Sequence, residues 1–384
     1  MEKFLQTLID ALAVGSLYAL IALGYTMVYG ILKFINFAHS DVFVLGAWTS
    51  FLVAVAAGWG DPQASAGAGR EWVAWVLWAA TIAAAVIAAF EYAAWKRRHP
   101  TDAFSLNRTR LAGSLVLVAA WGWAALGLAK MAGVVKAWGD NGLFSGLLIL
   151  LCAMATCGLV GFVLERLAYK PLRKAPRLNV LITAIGVSLL LQNLGQLQAM
   201  FGTRPQRMPT LLPTDAPLAT IANVKIMPVD VIGAATAVAL MFLLDFLVHR
   251  TKFGRSMRAV SFNPTTASLM GIPVDRVISV TFVIGASLAA AAGFLYGQKY
   301  PGLNQTAAAV WVLLGLKAFV AAVVGGIGNI RGAMLGGVLI GLLEFFGAAY
   351  VSAAMRDVYV FSLLIVVLLV RPSGILGRPM VEKV

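Results

Sequence analysis

Leu5 to Ile31 reads LQTLIDALAVGSLYALIALGYTMVYGI, with Asp10 as its one charged residue. About 20 apolar residues in a helix cross a bilayer, and a helix satisfies its own backbone where no water is present. This run is therefore a membrane span. Only Lys3 supplies positive charge ahead of it, it is too long for a signal-peptide core, and no small-residue cleavage pattern follows at a sensible distance. The same ruler finds further runs at Asp41 to Ala57, Trp72 to Trp95, Leu111 to Val135, Leu143 to Leu167, Leu178 to Met200, Val229 to Val248, Arg276 to Lys299, Trp311 to Gly328, Met334 to Ala354 and, shortest, Val358 to Val370. The predicted fold class is all-α: a polytopic transmembrane helical bundle of about 10–11 spans, with broken helices where polar or glycine-rich segments interrupt the apolar pattern.

Composition agrees. Of 384 residues, 60% are hydrophobic and 12% charged, the mean hydropathy is +0.86 and the net charge is +14. No soluble globular domain needs so much apolar surface. A pI near 10.0 raises the question of nucleic acid, but Lys and Arg fall mainly in short connectors and form no basic face interleaved with aromatics. Nucleic acid is thus excluded as a partner, and membrane lipid is expected instead. Cys152 and Cys157 lie five apart in one run, on different faces of a helix, and read as inert core residues.

If spans alternate, the connectors 32–40, 96–110, 168–177, 249–275 and 329–333 and the tail 371–384 share one side, and they hold 18 of the 30 Lys and Arg residues. The opposite connectors hold 7. By the positive-inside rule the richer side is cytoplasmic, with the C-terminus inside, the N-terminus outside and the Pro- and Thr-rich loop 201–228 facing outward.

Motifs for chemistry are missing. No lysine in the chain is followed by Ser or Thr, so there is no phosphate-cradling Walker A loop and no ATPase of the chain's own. His39, His99 and His249 sit in three separate connectors without metal-ligand spacing, and no Gly-x-Ser-x-Gly elbow occurs. No metal, no cofactor and no catalytic residue is expected.

Charges inside spans cost about 2.5 to 3.5 kcal/mol at the bilayer centre on insertion scales, so each needs a reason. Lys317 and Glu344, in neighbouring runs, read as an ion pair or as partners for broken-helix carbonyls, with snorkelling to an interface as the plainer alternative. Asp245, shortly before His249 and Arg250, reads as interfacial. FINFAHSD, Phe34 to Asp41, breaks the apolar pattern with Asn36, His39, Ser40 and Asp41. Two readings fit it: a translocation-path or gate element at membrane depth, or a cytoplasmic turn whose Asn and Asp cap the next helix. Gly332 with Gly336, and Gly337 with Gly341, have the small-x-x-x-small spacing of close helix packing, and their density also suits a discontinuous helix.

GRSMRAVSFNPTTASLMGI, Gly254 to Ile272, is a polar, basic segment between two apolar runs. Its helix-start signal is Asn263-Pro264 followed by Thr265 and Thr266, and it closes at Gly271 before Pro273. A short cytoplasmic helix lying across the membrane face is predicted. It is where this chain meets something other than membrane.

In order along the chain, GSLYALIALGYTMVYGILKFINFAHSDVFVLGA (Gly15 to Ala47), GRSMRAVSFNPTTASLMGIPVDRVI (Gly254 to Ile278), TFVIGASLAAAAGFLYG (Thr281 to Gly297), LKAFVAAVVGGIGNIRGAMLGG (Leu316 to Gly337) and RPSGILGRP (Arg371 to Pro379) resemble the permease subunits of ATP-binding-cassette importers for branched-chain amino acids. The resemblance covers Gly15 to about Ala57 and about Gly146 to the C-terminus. Residues 58–141 look like an insertion with two extra spans in a single permease domain, and Ser40 stands where the family usually has glycine. The resemblance implies a bacterial inner-membrane subunit that pairs with a homologous second permease. It also implies two cytosolic ATP-binding subunits and a periplasmic solute-binding protein that delivers substrate. It makes 249–275 the coupling loop, with Arg258, Asn263, Thr265, Thr266, Met270 and Gly271 facing the ATPase. Asn36, His39, Asp41, Lys317 and Glu344, polar or charged residues in or beside spans, are the candidates for the translocation path. Urea, amides or other small solutes stay open as substrates. A self-contained secondary transporter or channel is the alternative class, although carboxylates in the spans are scarce for one, and an intramembrane enzyme lacks a nucleophile and base.

Overall fold

The computed structural model describes residues 1–59, 134, 142–173, 175–198, 200–212, 217–221 and 223–377. Among these, eight helices are long and apolar enough to cross a membrane, and a shorter apolar one accompanies them. The runs Trp72 to Trp95 and Leu111 to Val135, and nearly all of the stretch 58–141, lie outside the described residues. Every other predicted run coincides with a helix, and the fold is an all-α polytopic bundle.

In chain order the helices are α1 (Glu2–Leu32), α2 (His39–Ala56), α3 (Gly142–Leu164) ending in a π-helical turn (Glu165–Tyr169), α4 (Arg177–Gln196), α5 (Pro228–Arg250), α6 (Lys252–Phe262), α7 (Pro264–Leu269), α8 (Val274–Lys299), α9 (Ala309–Gly325), α10 (Ile330–Tyr350) and α11 (Arg356–Val370). Two short antiparallel ribbons, β1 (Gln206–Arg207) with β4 (Gly302–Leu303) and β2 (Ala219–Ile221) with β3 (Val224–Ile226), close the loops at one end.

Small residues decide who sits in the middle. Without a hydrophobic drive between helices in lipid, close backbone approach supplies the packing. Ala289 to Ala292 of α8 are fully buried, and α1 is buried almost continuously from Ala13 to Val28. On α10 the glycines form two rows. A Cβ on Gly332 or Gly336 would run into the backbone of Gly325 or Ala321 on α9; one on Gly341 would stand 2.5 Å from Gly15 Cα and 2.6 Å from Ala11 O on α1, and one on Gly337 would strike Ala19. The periphery, α4, α5 and α11, carries exposed apolar side chains such as Leu189, Phe242, Phe246 and Leu369.

The connectors separate into two ends. At one, Lys225 N–H donates to Gln6 Oε1 (3.0 Å), Lys3 Nζ to Ala349 O (2.6 Å), and β1 pairs with β4. At the other, Ser261 donates to Gly30 O, Arg173 Nη1 meets Asp275 Oδ1 at 2.5 Å, and Asn329 Nδ2 donates to Leu376 O at 2.8 Å. Where both partners lie in connectors, in the β1–β4 pair, Arg173–Asp275 and Asn329–Leu376, alternation assigns the two to one side.

Candidate functional site

The segment from Arg250 to Pro273 folds as two helices at the second end, where one had been predicted. Thr251 caps α6, its Oγ1 accepting from Gly254 N at 3.1 Å, and α6 buries Gly254, Met257 and Val260 against the bundle. Asn263 then caps α7, its Oδ1 accepting from Thr265 N (2.9 Å) and Thr266 N (3.0 Å); Pro264 supplies the first helical residue without an N–H to satisfy. Gly271, at φ +80°, ends the element in the left-handed region that glycine enters without cost. Only Ala267 of α7 is buried. Phe262, Leu269 and Met270 stand 90%, 83% and 79% exposed around it, an apolar set on an otherwise polar connector. Arg258 is exposed and also donates its guanidinium back to Val248 O at the end of α5.

The second grouping is the start of α2. From exposed Lys33 the chain turns inward, and Asn36, Ala38, His39 and Asp41 are all buried. The ring of His39 packs on Tyr25 (centroids 4.7 Å) and fills the place of a side chain at Gly24, eight residues before the end of α1, or about 12 Å of helix rise. Helix α2 therefore begins inside the bundle. The caps that the turn reading of FINFAHSD expects are not formed: Ala38, rather than Asn36 or Asp41, holds the N-cap position, without a side-chain bond. The two polar side chains face partners far along the chain instead. Tyr169 OH donates to Asn36 Oδ1 (2.5 Å), and Gln192 Nε2 donates to Asp41 Oδ1 (2.9 Å). His39 Nε2 is buried with no hydrogen-bond partner. From the opposite end the loop 300–308 dips toward this level: Thr306 Oγ1 donates to Gln192 O (2.7 Å), and Asn304 O accepts from the indoles of Trp48 and Trp311 (3.1 and 3.2 Å).

Lys317 and Glu344 do meet. Lys317 Nζ lies 2.9 Å from Glu344 Oε1 and 2.8 Å from Asp357 Oδ1, while Tyr18 OH donates to Glu344 Oε2 at 2.9 Å. One ammonium thus joins α9, α10 and α11, and the tyrosine adds α1. Asp245 pairs with Arg331 (Nε to Oδ1 3.0 Å) at the α5–α10 contact near the basic end.

Residues 7–100 and 111–370 match the family described as the branched-chain amino acid transport system permease component. The chain belongs to this family. The high-affinity branched-chain amino acid transport system permease protein LivH of Escherichia coli (strain K12) is 35% identical over 383 residues, covering 99% of this chain and 98% of the relative. BraD of Pseudomonas aeruginosa, described in the same words, is 35% identical with the same coverage. The xylose/arabinose import permease protein XylH of Sulfolobus acidocaldarius is 32% identical over 197 residues, covering 50% of this chain and 52% of the relative. No solved structure matches the chain significantly.

Other buried polar groups of this permease escaped the sequence reading. Glu165, fully buried, accepts from Ser279 Oγ at 2.6 Å and pairs with Arg173. Lys299 bridges Asp10 (3.4 Å) and Asp230. Gln298 holds the loop 201–212 on α8, accepting from Leu211 N at 2.9 Å and donating to Pro209 O at 3.1 Å. The cost argument that singled out Lys317 and Glu344 applies equally to Glu165, Asp10, Asp230 and Lys299, which also interrupt apolar runs.

Proposed function

We propose that this multi-pass membrane protein is the permease subunit of an ATP-driven importer of branched-chain amino acids, forming the membrane path together with a second, homologous permease. It has no nucleotide site of its own and performs no catalysis; two ATP-binding subunits supply the energy, and a solute-binding protein delivers substrate to the opposite face. The chain lies in the bacterial cytoplasmic membrane with its N-terminus outside and its C-terminus inside, so that α6 and α7 face the cytosol. Helix α7 is the coupling helix. Phe262, Leu269 and Met270 enter an apolar groove on the ATP-binding subunit, while Asn263, Thr265, Thr266 and Gly271 hold the helix in shape. Arg258 contributes by fixing α6 to α5.

The start of α2, with Asn36, His39 and Asp41, lines the path, because irregular polar backbone at membrane depth is tolerated where protein or a wet cavity receives it. Lys317 and Glu344 hold helices together beside that path. The stretch 58–141 is an insertion carried by the same domain.

The observation that carries the reading is the Asn263-capped helix α7 with exposed Phe262, Leu269 and Met270 on the arginine- and lysine-rich end. Replacing Thr266 to Met270 with a Gly/Ser linker is expected to abolish association with the ATP-binding subunits while membrane insertion persists. Normal uptake in that variant would remove the coupling assignment. Uptake by this chain alone in liposomes, driven by an ion gradient, would sink the importer reading.

A further inference from the structure

We propose that Glu165 and Tyr169, on the π-helical turn that ends α3, are positioning residues that hand the tilt of α7 to the buried start of α2. This rests on α7 being the coupling helix.

Glu165 is a carboxylate with no solvent exposure at the end of an apolar span, a placement that persists only when the charge is paired and hydrogen-bonded. Its partners come from two directions. Arg173 of the following connector pairs with it, and Ser279 Oγ of α8 donates to it at 2.6 Å. Arg173 turns its other nitrogen to Asp275 Oδ1 at 2.5 Å, one turn before Ser279. The π turn is therefore clamped to the first two turns of α8.

Those turns have little freedom relative to α7. Only Gly271, Ile272 and Pro273 separate Met270 from the start of α8, and Ile272 N–H already donates back to Ala267 O at 3.0 Å. A push on α7 must reach Asp275 and Ser279.

The other end of the same turn reaches the path. Tyr169 is buried between Phe34 and Phe282, each ring 5.3 Å from its own, and its hydroxyl donates to Asn36 Oδ1 at 2.5 Å. The backbone carbonyl of Asn36 in turn accepts from the backbone N–H of His39, the first residue of α2, at 3.1 Å. Helix α7, the base of α8, the π turn, Asn36 and α2 thus form one unbroken series of contacts. The turn itself is π-helical, a form frequent at functional sites. In the proposal, its wide bond, Lys170 N–H to Glu165 O (2.8 Å), is the element that would change register to move Tyr169 relative to Asn36.

The test uses the permease assembled with its second permease, ATP-binding and solute-binding subunits in liposomes, with uptake, ATP hydrolysis and the amount of assembled complex measured together. Tyr169→Phe keeps the ring and removes only the donor. It is expected to assemble and hydrolyse ATP as the parent does, and to lower the ratio of uptake to hydrolysis by about fivefold or more, the lower range for leaving a buried acceptor unpaired. In an Asn36→Ala background the same change is expected to cost nothing further. Ser279→Ala, remote from Asn36, is expected to lower the same ratio. An unchanged ratio in assembled Tyr169→Phe overturns the proposal. So does an additive loss in the double variant, or a loss that only tracks reduced assembly in both Tyr169→Phe and Ser279→Ala. Failure of α7 as the coupling helix is read separately, from retained association in the 266–270 replacement.

Discussion

Lys317→Met removes the one cation from a buried cluster and keeps most of its volume. Lys317 and Glu344 have side chains only 8% and 5% exposed, whereas Asp357 is 48% exposed. Asp357 can turn to water, so its share of the loss is small, about 0 to 1 kcal/mol. Glu344 cannot; it keeps only the Tyr18 hydroxyl, and breaking such a buried pair from one side costs about 3 to 5 kcal/mol. Replacing both members, Lys317→Met with Glu344→Leu, removes the uncompensated charge and is expected to recover most of that loss, leaving the cost of the Tyr18 hydroxyl, about 1 to 3 kcal/mol. The assay is thermal unfolding of the purified permease in detergent for the parent, both single variants and the double, followed by uptake in the assembled transporter. A single-variant cost below about 1 kcal/mol, or a double variant whose loss equals the sum of the singles, refutes a structural pair. A double variant that is stable but transports nothing places the pair on the translocation path.

Two glycine changes separate packing from composition. Gly341→Val sets side-chain carbon against the backbone of Gly15 and Ala11, which cannot yield without parting α1 from α10, so about 1 to 3 kcal/mol of destabilisation and a loss of monodisperse protein are expected by size-exclusion chromatography. Gly186→Ala on α4 meets nothing within 4 Å and is expected to be neutral or to stabilise by up to about 1 kcal/mol in the same thermal assay. Phe262→Ser with Leu269→Ser leaves the Asn263 cap intact and is expected to weaken ATP-binding-subunit association in pull-downs with little salt dependence, because the contact removed is apolar. Cys152 and Cys157, both about 1% exposed, are expected to resist a water-soluble maleimide until the protein is unfolded in dodecyl sulfate, as followed by mass spectrometry.

The span pattern was legible because hydropathy is a property of each segment alone. The short helix α7 was legible for a similar reason: Asn263, Pro264 and Gly271 act within a few residues of where they stand, through a cap, a preset φ and a left-handed turn. The division of the segment into α6 and α7 was not, because α6 owes its buried stripe to the bundle beneath it. The glycine spacing on α10 announced close packing, yet that Gly332 and Gly336 face α9 while Gly337 and Gly341 face α1 depends on where those helices lie.

The start of α2 shows where sequence reading reaches its limit, and why. Asn36 and Asp41 are residues that cap helices at any surface, and nothing within ten positions says that they do not do so here. What removes them from that role is a tyrosine 133 positions away and a glutamine 151 positions away, each delivered to the same depth by a different span. A buried polar side chain must find a partner, but the rule does not say where along the chain that partner stands. Helix α2 begins inside the bundle with its polar side chains met by Tyr169 and Gln192. Removing either donor therefore tests whether the position of α2, as well as a hydrogen bond, depends on them.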